Sequence, residues 1–139
     1  MSVLKYRIDK IVTKEFKVRQ VNSNEKLHFS LSLQFKVNVE EKVLCCISHY
    51  EYRSESEIKM QLDLECYFQI ESKYFTSLIK DNSLVIKTEI LQYLATIAVG
   101  TARGEIHARS AIAESPLQNT VLPPVDLTNI IKSPAEFKV

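Results

Sequence analysis

Three histidines and three cysteines are the residues of this 139-residue chain whose chemistry is easiest to recognise. A metal centre needs such residues at short, fixed spacings. His28, His49 and His107 are scattered, and none stands at ligand spacing to another histidine or to a cysteine. Cys45 and Cys46 are adjacent, so on a strand they point to opposite faces, one expected in the core and one at the surface. Glu105 and Arg109, four residues apart, have the spacing of an ion pair along a helix, not of an acid–base couple. Gly100 and Gly104 are the only glycines, and both fall inside a helical pattern. That leaves no glycine-rich loop to cradle phosphate and no dinucleotide fingerprint. No serine sits in a nucleophile elbow. The expectation is therefore a binding protein, not an enzyme, with no metal or cofactor.

The composition sets the frame for those residues. A chain of 139 residues is long enough for one domain, 1–139, that buries a core without disulfides or metal. Eighteen basic against 17 acidic residues give a net charge of +1, which argues against a nucleic-acid footprint. The opening MSVLKYRIDKIVTKE breaks its apolar residues with charges, so neither a signal peptide nor membrane insertion is expected. Cys45, Cys46 and Cys66 are an odd set, read as reduced thiols of a cytoplasmic protein.

The clearest pattern lies in LHFSLSLQFKVNV, where Leu27, Phe29, Leu31, Leu33, Phe35, Val37 and Val39 alternate with polar residues. Period two over thirteen positions means a long strand with one dry face. Ile58 to Glu71 repeats it, and VLCCISHYEY between them has strand composition. LKYRIDKIVTKEFKV reads as a further strand with a register break, and room for a bulge, near Asp9–Lys10. Four sequential strands of this kind predict an antiparallel meander whose dry face needs a lid.

The lid follows as a helix from about Ser83 to Glu114. Ile90, Leu91, Leu94, Ile97, Ala98, Ala102 and Ile106 form one apolar stripe, and Thr96, Gly100, Gly104 and Ala108 a second stripe of small residues. Each helical glycine costs about 1 kcal/mol relative to alanine. Either the glycines are merely tolerated under a neighbouring strand, or their missing Cβ lets a second backbone approach. One sheet covers one side of a helix, so the second reading predicts an oligomer, with Leu94, Ile97, Gly100, Gly104 and Ala108 at its interface. The tail then carries VLPPVDLTNII, in which Asp126 can cap a short helix from Leu127 to about Ser133, ended by Pro134. Pro123 and Pro124 fix φ and keep their segment extended. Val121, Leu122, Val125, Leu127, Ile130 and Ile131, with Phe137 beyond, then either cap the chain's own core or wall a groove.

These segments, in this order, resemble the SecB family of export chaperones. YRIDKIVTKEF is similar to the family's first strand, CYFQI to the end of its last strand, IAVGTARGEI with Ala102–Arg103 to its long helix, and LPPVDLTNII to its proline crossover into the last helix. The resemblance implies an α+β fold: a four-stranded antiparallel sheet, one long helix, a proline-containing crossover loop and a short C-terminal helix. It also implies an ATP-independent holdase, assembled as a dimer of dimers, that binds unfolded client polypeptide in an apolar groove. Leu44, Tyr50, Tyr52 and Tyr67 join the groove lining on this analogy.

Export members are acidic and dock the SecA motor through an acidic sheet face. Glu15 matches one such position, whereas Arg19, Lys59 and Gln61 stand at the others, which opposes efficient handover to SecA. The expected client is therefore an antitoxin, as in the toxin–antitoxin branch, ahead of a preprotein for export. A hot-dog thioesterase is the remoter alternative, but there the long helix precedes most strands.

Overall fold

The computed structural model describes residues 4–19, 26–55, 57–112 and 122–139, with the backbone alone at 111 and 112. Four strands, β1 (Tyr6–Val18), β2 (His28–Asn38), β3 (Val43–Arg53) and β4 (Ile58–Ile70), pair in one antiparallel sheet. Their order is β1-β4-β3-β2. The expected meander is thus corrected: β2, β3 and β4 are sequential neighbours, but β1 lies against β4, a Greek-key arrangement. Alternation tells which face a side chain takes and is silent on which strand lies beside it. Burial carries that information. Met60, Leu62, Leu64, Cys66 and Phe68 of β4 are fully buried, which requires a neighbour on each side. The apolar residues of β2 are all half-exposed, as befits an edge.

The register of β1 against β4 slips twice, between Ile8 and Lys10 and between Thr13 and Glu15. The first slip is the break expected at Asp9–Lys10. Each slip resets the alternation, so that Ile8, Ile11, Thr13 and Phe16 all pair with inward-facing residues of β4.

A short helix, α1 (Ser72–Ser77), and a hairpin of β5 (Ile79–Lys80) and β6 (Ser83–Ile86) precede the long helix α2 (Thr88–Ile112). The predicted helix start at Ser83 is corrected to Thr88. Asp81 and Asn82 hold φ of 51° and 64°, the left-handed pair that a two-residue hairpin turn demands. Leu84 and Ile86 are buried with Val85 exposed between them, a period of two on too few residues to outvote the helical run behind it.

α2 lies over β3 and β4. Leu91, Leu94, Ala98, Ala102 and Ile106 close the core against them, as the apolar stripe predicted. Each fully buried leucine contributes about 1.5–3 kcal/mol over an exposed one. Among the described residues no helix is long and apolar enough to cross a membrane.

In the tail, Asp126 caps α3 (Leu127–Ile130) as expected, its side chain accepting from the Thr128 N–H at 3.1 Å. The hydroxyl of Thr128 also donates to it, and this holds the Asp126 carboxyl below the usual range. The helix stops three residues earlier than predicted, because Ile131 is extended (φ −105°, ψ 103°). After Pro134 the chain forms β7 (Ala135–Lys138), which pairs with β6 in a second sheet of order β5-β6-β7. Phe137 thus faces Leu84 in that small sheet.

Candidate polypeptide-binding groove

β2 is an eleven-residue edge strand whose pairing with β3 has no bulge. Its core-side row, Phe29, Leu31, Leu33, Phe35 and Val37, packs against the core from one side only and stays half-exposed. Among the described residues no strand pairs with the outer edge of β2, and such an edge presents backbone N–H and C=O groups as a template for an added strand. β1, at the opposite edge, is different. Its two bulges and its lysines, Lys10, Lys14 and Lys17, are the devices that discourage edge pairing. One edge is defended and the other is left open.

The tail lies on the same side as the open edge. Thr13 donates to Glu105 at 3.3 Å, and Arg109 lies 5.8 Å from the centre of the Phe16 ring, so one flank of α2 faces β1. A helix turns by about 100° per residue, which puts Gln92 on the other flank. There the Gln92 amide donates to the Ile131 carbonyl at 2.8 Å and fastens the tail to α2. Leu122 and Ile131 are spent on the core, at 2% and 8% exposure. Pro123, Val125 and Leu127 are half-covered, Pro124 is exposed, and Ile130 is 42% exposed. Val121 lies outside the described residues. Two side chains of the tail therefore cap the core, as its composition allowed, and the others stay partly or fully exposed.

Three predicted lining residues are corrected. Leu44 and Tyr50 are 1% and 0% exposed beneath α2 and belong to the core. Tyr67 sits on the outer face of the sheet, where its hydroxyl donates to Glu65 at 2.6 Å and Lys10 covers its ring at 4.5 Å. The bond to Glu65 pushes its phenol well above the usual range. Period two already assigns Tyr67 to that face, opposite Phe68. Tyr52 is half-buried, with its ring 5.2 Å from that of Phe29. The β2 row itself was read only as a dry face, because alternation does not mark an edge.

Of the predicted oligomer residues, Leu94 is fully buried in its own core and is withdrawn. Ile97 is half-buried, while Gly100, Gly104 and Ala108 are exposed. A Cβ on either glycine would meet nothing within 4 Å. Among the described residues no neighbouring strand covers them, which counts against the reading that they are tolerated under one.

On the outer face Glu15 is paired with Lys17 at 2.9 Å and accepts from Gln61 at 3.3 Å. Lys59 is buried against Glu57 at 2.6 Å. Glu105 and Arg109 form the predicted ion pair at 2.5 Å. Both Cys45 and Cys46 are buried, which corrects the expected core–surface split: on the outer face, Cys45 lines the floor of a cavity of about 170 Å3 shared with Tyr67 and Lys36. Burial pushes the Cys46 thiol up to about 12 and the Cys66 thiol up to about 11, so neither is a nucleophile at neutral pH.

Among solved structures, the chain is similar to the Mycobacterium tuberculosis SecB-like chaperone Rv1957 in complex with a ChAD peptide from the HigA1 antitoxin. The TM-score is 0.53 at 9% identity, over 87% of this chain and 91% of that one. A protein of unknown function from Streptococcus agalactiae matches over 88% of this chain and 100% of that one, with a TM-score of 0.47 at 10% identity. No protein-family model and no curated protein matches the sequence. What is shared at such identity is the fold: α+β, a four-stranded antiparallel sheet, a long helix and a short one, arranged as in a SecB-like chaperone.

Proposed function

We propose that residues 1–139 form one holdase domain of the SecB-like kind, which keeps unfolded polypeptide from aggregating without ATP and without catalysis. The observation that carries this reading is the half-covered apolar row of an unbulged edge strand. It gains support from a fold shared with a chaperone whose structure holds an antitoxin peptide.

An extended client adds itself to the free edge of β2. Its backbone hydrogen bonds are independent of sequence, and alternate side chains fall on the row from Phe29 to Val37. About eight client side chains burying roughly 600 Å2 of apolar area give about 15 kcal/mol gross. Ordering the disordered client offsets much of that. Affinity per segment is then on the order of micromolar, and it rises when one long client spans several protomers. Release follows from folding of the client or its transfer to a partner.

The finer reading is a cytoplasmic chaperone protecting an antitoxin, ahead of one delivering preproteins to SecA. The net charge of +1, and the partners already held by Glu15, favour that order. The exposed Gly100–Gly104 face favours a homo-oligomer, a dimer of dimers, joined through α2.

The test is light scattering from a chemically unfolded protein diluted out of denaturant, with equimolar chain and no nucleotide. Suppressed scattering is expected. Scattering as high as without the chain would sink the reading.

A further inference from the structure

The outer face of the sheet, turned away from α2, carries a charge cluster that the groove does not use. One rung across it reads Glu15 of β1, Asp63 of β4, His49 of β3 and Ser32 of β2. Glu51 and Glu65 stand on the adjoining rungs and complete an acidic block. At its centre, His49 Nδ1 bonds the Asp63 carboxylate while Nε2 lies 2.8 Å from Glu51. Around them Gln61 donates to Asp63 at 2.7 Å and to Glu15 at 3.3 Å, Lys17 pairs with Glu15, and Arg53 Nε lies 3.6 Å from Glu51. From β2 the facing side chains are Ser30, Ser32 and Gln34, with Lys36 and His28 further along; Lys10 of β1 lies beside Tyr67.

A carboxylate only accepts, and a neutral imidazole has a single N–H. The two carboxylates that grip His49 are therefore satisfied together only by the protonated ring. We propose that His49 is a proton-operated clamp: protonated, it ties β3 to β4 through Asp63 while holding Glu51 of its own strand, and deprotonated, it frees one of the two carboxylates and leaves the outer face one charge more acidic. This rests on the geometry of the sheet and is independent of the chaperone reading.

Partial burial lowers the pKa of His49, but its bonds to Asp63 and Glu51, and their charges, outweigh that and leave it raised above its ordinary value. The bond to His49 in turn lowers Glu51. A histidine raised on folding adds stability that is fully present below its unfolded value and is lost as pH rises through its folded value. The clamp is thus closed on the acid side of neutrality and opens toward alkaline pH.

Imidazole 15N NMR of the folded chain between pH 5 and 9 tests this without any variant. His49 is expected to keep both nitrogens protonated above the ordinary histidine value of about 6.5. Each unit of elevation is worth about tenfold in the folding equilibrium constant across that window. His49→Gln is expected to abolish that fall with rising pH, and Asp63→Asn to bring the titration of His49 down. A His49 that titrates at or below the ordinary value would overturn the proposal. So would a His49→Gln chain whose folding constant keeps the wild-type dependence on pH.

Discussion

Phe29 of β2 and Tyr52 of β3 meet across the open edge of the sheet, their ring centroids 5.2 Å apart and their planes tilted by 49°. Both are half-buried, so the pair supports the edge and leaves area that the proposed client would cover. Phe29→Ala is expected to cost about 1 kcal/mol of stability from the aromatic pair. It should also weaken client binding several-fold. Urea unfolding measures the first, and fluorescence anisotropy of a labelled unfolded client the second. Full affinity in a folded Phe29→Ala chain would move the site off β2.

A sharper probe is Leu33→Lys, in the middle of the same row. Natural edges use inward-pointing lysines to refuse an added strand, and β1 already carries lysines with its bulges. Because Leu33 is half-exposed, the long lysine stem can lie on the surface with its charge in water. Little stability should be lost. Suppression of client aggregation is expected to fall by tenfold or more, read as the chain concentration that halves light scattering. The same variant with wild-type potency would rule out strand addition at β2. Leu122 makes a poor probe by comparison, because at 2% exposure its replacement by a charge would unfold the tail before testing it.

The faces of the sheet were legible in the residues, and its neighbours were not. Alternation from Leu27 to Val39 and from Ile58 to Glu71 gave the dry and wet sides correctly. It could not say that β1 pairs with β4, because pairing depends on burial along the whole strand. The break at Asp9–Lys10 was visible because an extra residue disturbs the period locally. Asp81–Asn82 passed unnoticed, since a turn built on two positive φ values is usually announced by glycine. Of the candidate site, the paired prolines drew attention to the tail, while Leu44, Tyr50 and Tyr67 came from resemblance and fell to burial and to the alternation itself. The open row on β2 needed the strand order before it could be recognised.

The thiols give a prediction that does not depend on the groove. Cys45, Cys46 and Cys66 are free and buried, and burial raises the thiol of each. The thiolate is the reactive species. At pH 8 a thiol reagent such as dithionitrobenzoate is expected to label none of them within minutes in the folded chain. All three should react in guanidinium. Rapid labelling of Cys46 or Cys66 under native conditions would mean that the β3–β4 core opens locally.

The small-residue face of α2 supplies the last prediction. Gly100 and Gly104 weaken the helix by about 1 kcal/mol each relative to alanine, yet among the described residues the space around both is open. An isolated protomer would gain from filling it, so Gly100→Ala with Gly104→Ala should raise the thermal midpoint of a monomer. If a second copy packs there, the missing Cβ atoms let the two backbones approach, and larger side chains must push them apart. Gly100→Leu with Gly104→Leu is therefore expected to turn an oligomer into monomers that remain helical, with mass read by light scattering after gel filtration and helicity by circular dichroism. An oligomer of unchanged mass in the leucine variant would place the interface elsewhere, and a monomeric wild type would remove the assembly altogether. The α2 face is the right place to look because Tyr93, Thr96, Gly100, Gly104 and Ala108 are all exposed along it, while Leu91, Leu94, Ala98, Ala102 and Ile106 are buried in the core.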